Sequence, residues 1–253
     1  MNYWFFCFVL LFSHCICGTS EGAMQLIERL RSAQTGDYIV TAIDNTYTAL
    51  IIKEKSNEKM SIEEITIPLG RIQNNQNTWM GWRKWVESGA PGNTSWVMYT
   101  VNSSTGQMTD YFSFTKNARC NVSSIDHFLS KLLTLKLKRL PKKDTKRVGP
   151  PPPKGSKDAR RSWTPQMIYE GKVITDVNFE AWRTEWPQDG GELSGKVITV
   201  YVPNDDNRYP SYFPYWLEIQ GMIGKAKVRI IDSGRNLNSP QKAPINAKKP
   251  CQR

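Results

Sequence analysis

The chain has 253 residues, 34 basic and 23 acidic side chains, a net charge of +11 and 39% hydrophobic content with nine tryptophans, which excludes a disordered protein. Residues 131–161 carry 12 basic and 2 acidic side chains, while 21–130 and 162–253 stand at −1 and +2. The uniformly basic surface of many nucleic-acid-binding domains is thereby excluded, and a local basic segment suited to an anionic polymer, a lipid surface or an acidic protein is expected.

Residues 1–20 read as a secretory signal. Tyr3 to Phe12 is a ten-residue apolar run, shorter than the roughly 20 residues of a membrane-spanning helix. Gly18 and Ser20 suit the positions before a cleavage site, although no Lys or Arg precedes the run. The competing readings are an uncleaved anchor and lipidation at Cys15 or Cys17, the latter disfavoured by His14 and Ile16. The expected location is outside the cytoplasm (periplasm, cell envelope or extracellular), with no spanning segment in the mature chain. Cys120 and Cys251 then remain as an expected disulfide.

Residues 23–35 put Leu26, Ile27, Leu30 and Ala33 on one helical face, with Gly36 as terminator. The period then becomes two. Residues 38–43 and 46–53 predict a hairpin around Asp44-Asn45, and 60–67 a third strand. Asn- and Gln-rich 70–78 predicts a loop, and Trp79 to Glu87 a helical element. Residues 95–101 and 107–114 predict a hairpin turning at Gly106. Ser123 or Ser124 caps a helix to about Leu132, and 134–140 predicts a strand with one wet face.

Residues 141–161 read as a linker with eight basic side chains: Lys142, Lys143, Lys146, Arg147, Lys154, Lys157, Arg160 and Arg161. Pro150 to Pro153 favour an extended polyproline II segment. Beyond it, 167–173, 196–202, 212–219 and 226–231 predict strands, and 178–185 a short helix or turn. Residues 236–253 predict an irregular basic tail.

The expected fold class is α+β, mostly antiparallel, with two small β-rich domains at 21–140 and 162–235. Trp82-Arg83 and Trp85 match Trp182-Arg183 and Trp186 at an offset of 100 or 101, and Tyr111 to Phe114 match Tyr212 to Tyr215 at 101. That offset predicts an internal duplication.

Catalytic signals are few. Gly190 to Lys196 resembles a phosphate-binding loop, but Val197 replaces the Ser or Thr and a strand pattern follows, so no nucleotide is expected. With His14 in the signal, His127 stands alone, which leaves no histidine-based catalysis or metal site. Glu180, Glu185, Asp189, Glu192, Asp205 and Asp206 are the carboxylates from which a glycoside hydrolase would draw an acid and a base. Trp82, Arg83, Trp85, Trp182, Arg183, Trp186, Tyr212 and Trp216 are candidate binding residues, because indole faces stack on sugar rings and Arg donates in a plane; the competing role is core packing. Asn93, Asn102 and Asn121 head N-glycosylation acceptor patterns. The expected function is an exported, non-enzymatic, envelope-associated or interaction protein, without cofactor or metal, that binds an anionic surface or a glycan through the basic linker and aromatic patches; the alternative is the secreted hydrolase.

Overall fold

The computed structural model describes residues 22–73, 79–122, 128–204, 208–221 and 225–242. It is a mostly antiparallel β structure with few helices. In chain order the elements are β1 (Ala23–Met24), α1 (Leu26–Ser32), β2 (Tyr38–Ile43), β3 (Thr46–Lys55), β4 (Lys59–Pro68), α2 (Leu69–Gln73), α3 (Trp82–Glu87), β5 (Ser95–Asn102), β6 (Met108–Ser113), β7 (Ala118–Arg119), α4 (Phe128–Thr134) and β8 (Leu137–Arg139). After a 3-10 turn (Lys142–Asp144) come β9 (Met167–Tyr169), β10 (Lys172–Ile174), β11 (Phe179–Glu185), β12 (Val197–Pro203), β13 (Trp216–Gln220) and β14 (Lys225–Gly234).

Twelve strands form one sheet in the order β1-β8-β11-β12-β13-β14-β2-β3-β4-β5-β6-β7, and β9 and β10 form a separate hairpin. Strands from both sides of residues 141–161 therefore lie in the same sheet. Arg229 of β14 faces Ala42 of β2, and Trp182 of β11 faces Arg139 of β8. The expected division into separate N- and C-terminal β domains gives way to one shared layer, because each half leaves a strand edge that the other half covers.

Period-two alternation sorts the side chains onto two faces. On the inner face Ile39, Leu50, Ile52, Ile62, Tyr99, Val200, Leu217 and Ile230 join Leu26, Leu30, Leu132 and Leu133 of α1 and α4 in one apolar cluster. On the outer face Val40, Ile51, Ile65 and Ile67 pack under Trp82, Trp85 and Val86 of α3. The outer face of β11 to β14 carries no helix among the described residues.

Most expected elements form near their predicted bounds. Three stretches differ: 70–73, expected within a loop, belong to helix α2; 167–173, expected as one strand, turn back as the hairpin β9–β10; and 178–185, expected as a short helix or turn, is strand β11. Its central residues bond to β8 and β12 on either side, and ladder pairing outweighs the ambiguous local pattern. Trp82 therefore sits in a helix and Trp182 in a strand, so the Trp-Arg match between the halves does not extend to local structure.

Candidate functional site

Register defines the uncovered outer face of the second half. Lys138, Arg183, Thr199, Glu218 and Lys227 lie side by side across five adjacent strands. At about 4.8 Å between strands, this row spans roughly 19 Å. The next row runs Ala181, Tyr201, Trp216, Arg229, and Lys225 faces Gln220 in the third. Lys138, Arg183, Lys225, Lys227 and Arg229 are all exposed. The acids among them are Glu185 and Glu218. Burial pushes Glu218 up, but the Lys225 ammonium 2.7 Å away, with Lys146 and Lys227, holds its carboxyl below the usual range. Arg183 donates from Nε to Thr199 Oγ1 at 3.1 Å, which holds the guanidinium along the row.

The basic segment folds back onto this face. The Trp163 N–H donates to Lys146 O at 2.8 Å and the Val148 N–H to Arg161 O at 3.0 Å, closing a loop at its base. Arg147 donates to the carbonyls of Arg160 and Lys142, both at 2.9 Å. Arg160 grips Asp158 at 2.9 Å and holds that carboxyl down at about 2. Two of the eight expected binding cations are thus engaged within the loop. Lys142, Lys143, Lys146, Lys154, Lys157 and Arg161 stay exposed.

Trp163 joins loop to sheet. Its ring packs edge-on against Tyr201 at 5.1 Å and Trp216 at 5.0 Å. The Lys146 ammonium lies 4.5 Å from the Trp163 ring centre and 5.6 Å from that of Trp216, with Lys227 at 6.0 Å from the latter. Beside this stack a cavity of about 400 Å³ is lined by Arg139, Thr145, Trp163, Asn178, Glu180 and Tyr201. A second, of about 580 Å³, is lined by Lys138, Pro141, Arg183, Thr184 and Glu185 among others. Cationic and aromatic surface is thereby presented together.

The expected binding residues divide sharply. Trp82 and Trp85 pack in the outer cluster, and Trp182 and Trp186 in the inner one, at 4–9% exposure. Tyr212 is wholly buried and donates to Leu50 O at 2.8 Å. These five are core residues, because each fills a gap between sheet and cover. Arg83 bonds Glu170 and donates to Arg235 O at 2.5 Å, tying α3 to the turn between β9 and β10. Only Arg183 and Trp216 of the eight reach the basic face. Trp163, Tyr201, Lys138 and Lys227 carry no local sequence signal that distinguishes them; pairing across strands brings them together.

The carboxylates proposed for hydrolysis do not converge. Glu180 and Glu185 are five residues apart on one strand, so they point to opposite faces about 16 Å apart, beyond the roughly 5–9.5 Å that such an acid–base pair needs. Glu180 is paired with Arg139. Asp189 is held at about 2 by Lys131, the Gly191 N–H and Trp186. Asp205, Asp206, His127 and residues 1–20, expected as a signal, lie outside the described residues. Cys120 is disulfide-bonded, and Cys251 also lies outside them. Residues 192–195 form a turn feeding β12, with no helix to hold a phosphate. No group of metal-ligating side chains occurs among the described residues, and none of their helices is long and apolar enough to cross a membrane.

Four carboxyls elsewhere sit above the ordinary range because burial disfavours their charge: Asp37, Glu63, Glu64 and Asp232. Each binds a proton more readily in the folded chain than in the unfolded one. Their contribution to stability is complete below the unfolded carboxyl range near pH 4 and is lost as pH rises through the folded values. The thermal midpoint is expected to be higher at pH 5 than at pH 8. A midpoint that climbs steadily from pH 5 to 8 contradicts this.

The family model for the CT021 protein matches residues 48–175. The chain also resembles the 2.0 Å structure of the hypothetical protein CT021 from Chlamydia trachomatis, with a TM-score of 0.63 and 19% identity over 88% of this chain and 98% of that one. No curated protein matches the sequence.

Proposed function

Since the chain belongs to the CT021 protein family, and the likeness to a solved structure speaks for its fold alone, its chemistry has to be read from its own surface, and we propose that it is a non-enzymatic protein that binds an extended anionic polymer on the outer face of β8 and β11 to β14. The observation that carries this reading is the run of exposed cations brought into register there, roofed by the Lys146–Trp163–Trp216 stack. A flat face of spaced cations suits a linear polyanion, each ion pair releasing condensed counterions. Aromatic rings beside them add stacking surface for sugar rings. Exposed Lys154 and Lys157 extend the positive field without being part of the row. The same reading has the chain act outside the cytoplasm after loss of residues 1–20, with Cys120 paired to Cys251.

Heparin and dextran sulfate are suitable probes, with uncharged dextran as control. Arg183→Glu with Lys227→Glu is expected to weaken binding at least about tenfold. It should also reduce the slope of log K against log salt by about one for each cation–sulfate pair removed. Parent protein that runs alike on sulfated and plain dextran would refute the proposal. So would a double variant that elutes with the parent.

A further inference from the structure

The four consecutive prolines belong to a different surface. They head the loop closed by the Val148–Arg161 and Trp163–Lys146 hydrogen bonds. Gly149 (φ +88°) and Gly155 (φ +90°) bracket them. Each of Pro150 to Pro152 precedes a proline, which excludes the helical region, and each ring fixes its own φ near −65°. With trans peptide bonds throughout, those constraints favour a polyproline II helix for the segment. That helix has three residues per turn, so Pro150 and Pro153 lie on one face, about 9 Å apart. Burial agrees with this geometry: Pro150, Pro151 and Pro153 are exposed, and Pro152 is half-buried. The chain thus turns Pro152 towards itself and shows the ridge on which Pro150 and Pro153 stand. Arg160 Nη1 donates to Gly149 O at 2.9 Å, and the Ser156 N–H to Pro153 O at 3.1 Å, so both ends of the ridge are tied.

A polyproline segment elsewhere serves as a spacer, but a spacer has no need of a closed base. We propose that Pro150 to Lys154 is a presented ligand for a proline-recognition domain of another protein, one with an aromatic groove and an acidic rim. The grooves that take such helices are lined by aromatic side chains and accept proline pairs at this spacing. The helix is already formed and the loop already closed, so little conformational entropy is lost on docking. Exposed Lys154 stands at the end of the ridge, where an acidic rim would meet it.

The test is direct binding of the full chain to a panel of purified SH3, WW and EVH1 domains. Saturable binding to at least one is expected. Pro150→Ala with Pro153→Ala should weaken it at least about tenfold, while Pro152→Ala should change it by less than about twofold. Heparin retention and thermal midpoint serve as folding controls and should not move in any of these variants. They also separate this proposal from the polyanion reading, which rests on other residues. Absence of binding across the panel overturns the inference. So does a Pro152→Ala loss equal to that of the double variant, since the ridge would then not be the docking face.

Discussion

Trp182→Ala is expected to cost about 3–5 kcal/mol of folding stability, the range for emptying an aromatic site in a packed core. For a chain of this size each kcal/mol lowers the thermal midpoint by about 2–4 °C, so a fall of roughly 6–20 °C should be seen in a melting curve. The indole stands on the inner face of β11 at 7% exposure, opposite Val200 of β12 and within the cluster that unites sheet, α1 and α4. Its burial makes a second outcome as informative as the first. The folded fraction of Trp182→Ala should bind heparin as the parent does, because the ring does not reach the outer face. Trp216→Ala should behave in the opposite way. That side chain is half-buried on the outer face, so its loss should leave the fold standing and weaken retention. If Trp182→Ala melts with the parent but loses the polymer, the assignment of the two rings is reversed.

The contrast between these two tryptophans shows how far sequence reaches. The hairpins were legible because each is local. Asp44 adopts the positive φ (47°) that an Asx-containing turn suggests, and Gly106 takes the left-handed conformation (φ 68°) at the second hairpin. Residues 60–67 were legible as a strand, whereas its burial on both faces, Met60 and Ile62 on the inner and Ile65 and Ile67 on the outer, comes only with the packing. Trp182 and Trp186 were not legible as inward-facing, since a spacing of four fits a strand and a helix alike. Only the flanking strands β8 and β12, which meet Trp182 at Arg139 and Val200, decide between them. The same limit applies to the candidate site. Its cations lie on β8, β11 and β14, and no window of the sequence holds them together. The charge of residues 141–161 was plain, but not that Arg147 and Arg160 would be used to close the loop while Lys146 would lie over Trp163.

Lys53→Met is expected to cost about 3–5 kcal/mol near neutral pH, because it strands a charge in the outer core. Glu63 is fully buried between the sheet and the segment that follows β14. Neither of its carboxylate oxygens accepts a well-formed hydrogen bond among the described residues, and Lys53 Nζ stands 3.5 Å away. Lys53 also donates to Ser239 O at 2.7 Å, so its ammonium holds the carboxylate and the C-terminal segment at once. Burial already pushes the Glu63 carboxyl up, opposed by Ser239, Lys53 and Trp96. Removing the ammonium raises it further, and the variant then gains stability by protonating Glu63. The penalty should therefore be full above the new folded value and should shrink as pH falls towards the unfolded range near 4. Chemical denaturation at pH 8 and pH 5 measures both ends. Adding Glu63→Leu to Lys53→Met should recover most of the loss at pH 8, since an apolar pair of similar volume needs no compensation. A single variant equally weakened at both pH values would mean that the Ser239 hydrogen bond, which does not titrate, carries the effect.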